Sequence, residues 1–321
     1  MTDSTTPDVL TFGEAMTLFI AETPGELAEV ERFQRRIAGA DTNVAIGLAR
    51  LAFHVAWISR VGDDGFGTFI RRTLESEGLD CRYLSTDAEH PTGLVFKERA
   101  EHGEDPKVAY YRRGSAASHL GVADVGDLDF QGVRHLHATG LPPALSPSTR
   151  ELAFHMLERA RETGLTISFD PNLRPSLWNS EAEMRETLNA LAAHADWVLP
   201  GLAEGQRLTG LDNAHDIAGY YLDRGASGVI VKLGPEGSYV RTADDAGMVK
   251  GVAAAHVVDT VGAGDGFAVG VISALLDGCS PRQAAHRGNL IGAEQVQVVG
   301  DMEGLPHRTR LRDLEAAHPM A

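Results

Sequence analysis

Between Val257 and Gly270 the chain reads Val-Val-Asp-Thr-Val-Gly-Ala-Gly-Asp-Gly-Phe-Ala-Val-Gly, and this is where residue types and spacing most invite chemistry. Gly262, Ala263 and Gly264 come immediately before Asp265, and an apolar small-residue run continues to Leu276 as a predicted helix. A Gly-rich turn opening a helix leaves backbone N–H groups free at the positive end of the helix dipole. Such a turn suits a phosphate or a phosphoryl group in transfer. A carboxylate in the first turn could take the proton of an attacking hydroxyl. The same spacing also fits an Asp that merely favours a helix N-terminus, and locally the two readings stand level.

Other candidates follow predicted strand ends. Asn172 and Arg174 lie in a Pro-flanked loop, where a guanidinium could bind phosphate or carboxylate, or make a surface ion pair. Lys232-Leu-Gly-Pro-Glu-Gly237 is a strand end and a Gly-bounded turn, either a nucleotide cradle or an ordinary hairpin into Ser238–Val240. Glu204 could hold water on Mg²⁺ or serve as a helix charge. Asp301 reads as a turn-former, and Asn289 is a polar amide that needs a partner within a small-residue helix. Tyr110 and Arg112 are two apart and share a strand face.

These side chains need a scaffold. The 321 residues suffice for one large α/β domain, and a mean hydropathy of -0.14 with 43% hydrophobic residues describes a soluble globular chain. No apolar run is long enough to cross a bilayer, and the polar start Met1 to Asp8 holds no signal-peptide core, so a cytoplasmic location is expected. The formal charge of -16 disfavours nucleic acid and anionic membranes as partners. An anionic ligand must therefore be drawn by local cations. Among the basic residues only Lys97, Lys107, Lys232 and Lys250 are lysines. Cys81 and Cys279 sit in no metal or redox pattern and are expected as free thiols. His135 and His137 share a strand face without a third ligand and read as packed or solvated histidines.

From Val133 onward, strands at Val133–Ala138, Thr166–Asp170, Trp197–Leu199 and Gly228–Lys232 alternate with helices, which predicts a mostly parallel sheet covered on both faces. Ligands of such sheets lie beyond the carboxyl ends of the strands. Two segments break the alternation. Thr17–Gln34 reads as strands and a turn, and Thr92–Arg113 as a hairpin about the polar loop Glu101 to Lys107, together a small flap.

Taken in order, Gly39 through Asn43, Asp259-Thr-Val-Gly-Ala-Gly-Asp265 and Lys232-Leu-Gly-Pro-Glu-Gly237 resemble the ribokinase-like (PfkB-type) carbohydrate kinases, from Gly13 to about Pro306. Within that family, Tyr110–Ser118, Asp170–Trp178 and Gly300–Pro306 look most like 2-keto-3-deoxygluconate kinases. The resemblance implies a single domain over 1–321 with lid segments at about 14–36 and 92–113, the lid often making a dimer contact. It implies Asp265 as catalytic base, with Gly262, Ala263 and Gly264 as anion hole. Gly39, Asn43, Tyr110, Arg112, Arg174 and Asp301 fall at sugar positions. Asn172, Lys232, Leu233, Gly234, Gly237 and Asn289 fall on the nucleotide side, and Glu204 on the metal element. ATP and Mg²⁺ are implied, with room for a monovalent cation.

Three positions depart from the pattern: Ala38 replaces a glycine, Gly201 an asparagine of the metal element, and Val95 a lid tyrosine. The implied reaction moves the γ-phosphoryl of ATP to the terminal hydroxyl of an acidic keto-sugar. Asp265, at a helix N-terminus, is expected to stay ionised, and Arg112 with Tyr110 to meet the sugar carboxylate. A fructokinase, a 5-keto-2-deoxygluconate kinase and a catalytically silent sensor are the alternatives. A dinucleotide fold is disfavoured because no Gly-x-Gly-x-x-Gly follows the first strand.

Overall fold

The computed structural model describes residues 6–99 and 107–320. The expected polar loop at 101–107 and the start of the chain at 1–5 lie almost wholly outside them. In chain order the strands are β1 (Val9–Phe12), β2 (Met16–Pro24), β3 (Phe33–Ala38), β4 (Val55–Gly62), β5 (Leu84–Asp87), β6 (Leu94–Arg99), β7 (Val108–Tyr111), β8 (His135–Thr139), β9 (Thr166–Asp170), β10 (Trp197–Val198), β11 (Gly228–Lys232), β12 (Gly237–Thr242) and β13 (Ala246–Lys250). The helices are α1 (Ala40–Arg50), α2 (Gly65–Ser76), α3 (Pro142–Leu145), α4 (Pro147–Glu162), α5 (Glu181–Ala192), α6 (Leu202–Thr209), α7 (Ala214–Leu222), α8 (Ala263–Leu276), α9 (Pro281–Gln295) and α10 (Arg308–Ala317).

The large sheet runs β13-β12-β11-β10-β9-β8-β1-β4-β5. It is parallel from β5 through β11, and β12 and β13 add an antiparallel edge. Successive residues of one strand enter different cores: Leu10, Phe12, Ala56 and Ile58 pack with α4 and α5, whereas Val9, Val55 and Trp57 pack with α1, α8 and α9. That two-sided burial is why these strands read as continuous apolar runs. His135 and His137 lie on the α1/α8 face, both within 2.8 Å of the Ser168 hydroxyl, and burial lowers each imidazole to about 3. They are packed histidines, as expected.

The flap is a separate sheet, β3-β2-β6-β7, with β2 and β6 parallel and the outer pairs antiparallel. It leaves the large sheet directly after β1, whose parallel neighbours are β8 and β4. One lid face carries Met16, Leu18, Val95 and Val108. The other carries stacked aromatics, Phe19 on Phe96 at 4.9 Å between centroids, flanked by Phe33 and Tyr111.

Candidate active site

Two helix N-termini meet at the base of the cavity beneath the lid. Gly262 caps α8 in the left-handed region, φ 80°, and a side chain there would strike the backbone carbonyl of Asp301. Gly39 caps α1 with φ 151°, where a Cβ would run into the carbonyl of Glu14. Helix α1 begins at Ala40, four residues earlier than its apolar run suggests, so Asp41, Thr42 and Asn43 form a buried first turn. Asn43 Nδ2 donates to Asp265 Oδ2 at 2.7 Å. Asp265 itself is 8% exposed.

The helix N-terminus is not the main influence on the ionisation of Asp265. Burial raises its pKa above the ordinary carboxylate value, against the opposing pull of Asn43, Arg174 and Lys232. A base of raised pKa accepts a proton more readily, provided the medium can ionise it.

Gly39, Asn43, Tyr110, Arg112, Asn172, Arg174, Gly262, Gly264, Asp265 and Asp301 all line one cavity of about 400 Å³. Ala263 is the first residue of the helix above it. Ala38 and Val95, two of the departures from the family pattern, line it too. Asn172 was assigned to the nucleotide side, yet it faces this cavity with φ 39° and a buried, unbonded Oδ1. The two arginines differ. Arg112 is buried against the fully buried Glu14, with Nε 2.6 Å from Oε2 and Nη2 also on that oxygen, while Ser115 donates to Oε1 at 2.5 Å. Its charge is therefore matched before any ligand arrives. Among the described residues Arg174 makes one side-chain hydrogen bond, to the Leu173 carbonyl at 2.9 Å, and no ion pair.

Deeper in, Lys232 Nζ donates to Asp170 Oδ2 at 2.6 Å and lies 4.0 Å from Glu204 Oε2. Burial pulls the lysine pKa down, but Asp170, Glu204 and Asp265 more than offset it and the ammonium persists. That ammonium lies 3.6 Å from where a Cβ on Gly264 would sit, so the cation adjoins the α8 N-terminus. Glu204 accepts from Gly201 N at 2.7 Å and from Leu173 N at 2.8 Å, which closes the N-terminus of α6 onto the loop after β9. Each oxygen thus takes one backbone donor and retains acceptor capacity for a metal-bound water. Among the described residues no three His, Cys, Asp or Glu side chains are grouped to hold an ion.

Gly237 and Asn289 converge on the end of β13. Leu233 N donates to the Gly237 carbonyl across the hairpin turn at 2.9 Å, with Gly234 opening the short turn between them. Gly237, φ 108°, packs its Cα against the Val249 carbonyl, and Asn289 Nδ2 donates to the Val249 and Lys250 carbonyls at 3.3 and 3.2 Å. The turn is an ordinary hairpin in form, and beside it a cavity of about 560 Å³ opens between Met248–Ala253 and α9.

Three acidic or basic participants escaped sequence reasoning, Glu14, Asp41 and Lys97, while Asp170 was seen only as the start of the loop that carries Asn172 and Arg174. Their partners stand far away in the chain, so only one local signal existed, the alternation that places Lys97 on the same lid face as Val95.

A two-sided parallel sheet with a β lid over a buried acid at a helix N-terminus defines a ribokinase-like phosphotransferase. Comparison with known proteins places the chain more closely. The family model for pfkB family carbohydrate kinases matches residues 6–308, and the chain belongs to that family of ATP-dependent sugar kinases. It is 51% identical to a 2-dehydro-3-deoxygluconokinase of Bacillus subtilis (strain 168), over 97% of this chain and 96% of the relative. Among solved structures it resembles a PfkB protein from Polaromonas sp. JS666 (TM-score 0.88, 48% identity, 96% and 99% of the two chains). It also resembles a putative ribokinase II from E. coli in complex with ATP and Mg²⁺ (TM-score 0.89, 25% identity, 98% and 100%).

Proposed function

We propose that this protein transfers the γ-phosphoryl of ATP to the terminal (6-) hydroxyl of 2-keto-3-deoxygluconate, the substrate class of the B. subtilis relative. The observation that carries the reading is the convergence, in one cavity, of Asp265 at the α8 N-terminus with the unpaired cation Arg174 and the lid pair Tyr110 and Arg112. Asp265, held by Asn43, accepts the hydroxyl proton. The N–H groups of Gly262, Ala263 and Gly264 face the charge that spreads over the phosphoryl oxygens, with Lys232 alongside. Glu204 and Asp170 are the carboxylates that would hold water on Mg²⁺, which neutralises phosphate charge when bound. Leu233, Gly234, Gly237 and Asn289 form the nucleotide side, and salt substitution checks whether a monovalent cation takes part. The chain acts as one domain with its lid, in the cytoplasm. The aromatic outer lid face, with Tyr111 66% exposed, is the surface for a homodimer. A monomeric mass by light scattering would remove that last element.

The pairing of Arg112 with Glu14 specifically favours one alternative, because a pre-neutralised arginine suits a neutral ketose such as fructose as well as an acid sugar. An ADP-release assay across acid and neutral keto-sugars decides between them. The proposal expects 2-keto-3-deoxygluconate to dominate kcat/KM, and Asp265→Asn to lower turnover by roughly 10²–10⁴-fold while ATP still binds. Preference for fructose, or full turnover by Asp265→Asn, overturns it. No turnover on any sugar favours a silent sensor.

A further inference from the structure

The lid sends one lysine into the phosphoryl site. Lys97, on β6, is 3% exposed, and its Nζ lies 2.5 Å from Asp259 Oδ2 and 3.6 Å from Asp301 Oδ1. Asp259 opens the loop that ends in Gly262, Ala263 and Gly264. Its Oδ1 accepts from Val261 N at 3.1 Å and its Oδ2 from Gly300 N at 3.3 Å, so one carboxylate ties the loop before α8 to the loop before α10. Those two loops also touch directly, Gly262 against the Asp301 carbonyl. Asp301 Oδ1 is buried and makes no hydrogen bond, although a sugar hydroxyl in the cavity could supply one.

Resting on the function proposed above, we propose that Lys97 is a positioning residue for phosphoryl transfer. Its amine, delivered by the lid, ties Asp259 to Asp301, so that Asp301 can accept from the sugar and the Gly262–Gly264 turn is held in register. The electrostatics require such a cation. Asp259, Asp265, Asp301 and Glu303 crowd the same wall, in a chain of net charge -16 that must admit an anionic sugar and ATP. Glu303 is partly met by Arg36 at 3.2 Å, and Arg112 by Glu14, which leaves Lys97 facing Asp259 and Asp301. Tyr110 and Arg174 complete the cavity on the far side. Burial raises the Asp301 carboxyl to about 7, and Lys97 pulls against that rise while Asp265, Asp259 and Glu303 add to it.

The two members of the Lys97–Asp259 pair should therefore act on Asp301 with opposite signs. In Lys97→Met the acid-side inflection of kcat/KM for the sugar moves to higher pH by about one unit, and activity at neutral pH falls about fivefold. Lys97→Arg restores the wild-type inflection. In Asp259→Asn the inflection moves to lower pH, because a repelling carboxylate is gone and the lysine is free to serve Asp301. Assays of the three purified variants against wild type, with 2-keto-3-deoxygluconate and saturating ATP, read all three shifts. An unmoved inflection in Lys97→Met, or equal losses at every pH in Lys97→Met and Lys97→Arg alike, overturns the proposal and leaves Lys97 as packing. Should Lys97→Met fail to fold, the acid-ward shift in Asp259→Asn decides alone. Wild-type enzyme that phosphorylates no acid sugar defeats the underlying functional reading instead, a result visible before any variant is made.

Discussion

Replacing Asn43 by Leu would isolate what one hydrogen bond does for the base. Asn43 Nδ2 to Asp265 Oδ2, 2.7 Å, is the only direct hydrogen bond to that carboxylate among the described residues, and both partners are buried. A hydrogen bond to a charged group in such a place contributes about 1.5–3 kcal/mol to holding the charge. At 1.36 kcal/mol per pKa unit, its loss raises Asp265 by about one to two units above a value that burial has already lifted. The inflection of kcat/KM moves up in pH by the same amount, and on the acid side of it the ionised fraction drops by up to roughly 10–100-fold. Arg174 and Lys232 still favour the anion, so activity returns as the pH is raised. Leu is close to Asn in size, and the Asn43 Oδ1 is buried without a partner, so the substitution also removes an unsatisfied group. Folding should therefore survive. An ADP-coupled assay from about pH 6 to about pH 10 reads the inflection directly. A loss of the same factor at every pH, with the inflection unmoved, would refute the role of Asn43 in setting the base.

Arg112→Ala should raise KM for the acid sugar far more than for a neutral ketose, but it also strands Glu14 as an unpaired buried carboxylate, at a cost of about 3–5 kcal/mol. Adding Glu14→Gln should recover the melting temperature without recovering KM; joint recovery of both would mean that Arg112 only serves the fold. Asp41 gives a pH test of stability. It is fully buried, and burial lifts its pKa from 3.8 to about 8 against the opposing pull of the Thr139 hydroxyl. The folded state thus keeps a proton that the unfolded chain has released, so stability is greatest below the unfolded pKa and is lost as pH rises toward the folded one. Between about pH 4 and pH 8 the slope is roughly 1.4 kcal/mol per pH unit. Melting curves of Asp41→Asn should show that share of the slope removed, and curves parallel to wild type would contradict it.

How much of this was legible in the sequence depended on whether the cause was local. The Gly262–Asp265 turn could be read because a glycine cap and a small-residue helix are properties of neighbours, and the structure begins α8 at Ala263. The strand–helix alternation was legible for the same reason, since period and turn residues lie within a few positions. Helix α1 shows the opposite. Asp41, Thr42 and Asn43 look like a polar loop, and only the packing of α1 against the loop after β1 and against α8 makes them a buried first turn. The upward pressure on the Asp265 pKa is of the same kind: a helix N-terminus is visible in sequence, whereas desolvation by burial is not. Arg112 and Glu14 stand 98 positions apart, and Lys97 and Asp259 162 apart, so neither pairing leaves a local trace.

Those long-range pairs also explain how so acidic a chain can host an anionic site. Buried cations from the lid region are matched by buried acids, Arg112 by Glu14 and Lys97 by Asp259, and the core lysine Lys232 by Asp170. Each pair is neutral as a unit and fixes geometry without adding net attraction. Arg174 is the exception: it lines the cavity, has no acid partner among the described residues, and favours the ionised form of Asp265. Net attraction for an incoming anion therefore falls to Arg174 and the two helix N-termini. Of the two arginines, Arg174 governs whether an anion enters the site, and Arg112 governs how its carboxylate is oriented once the lid is over it.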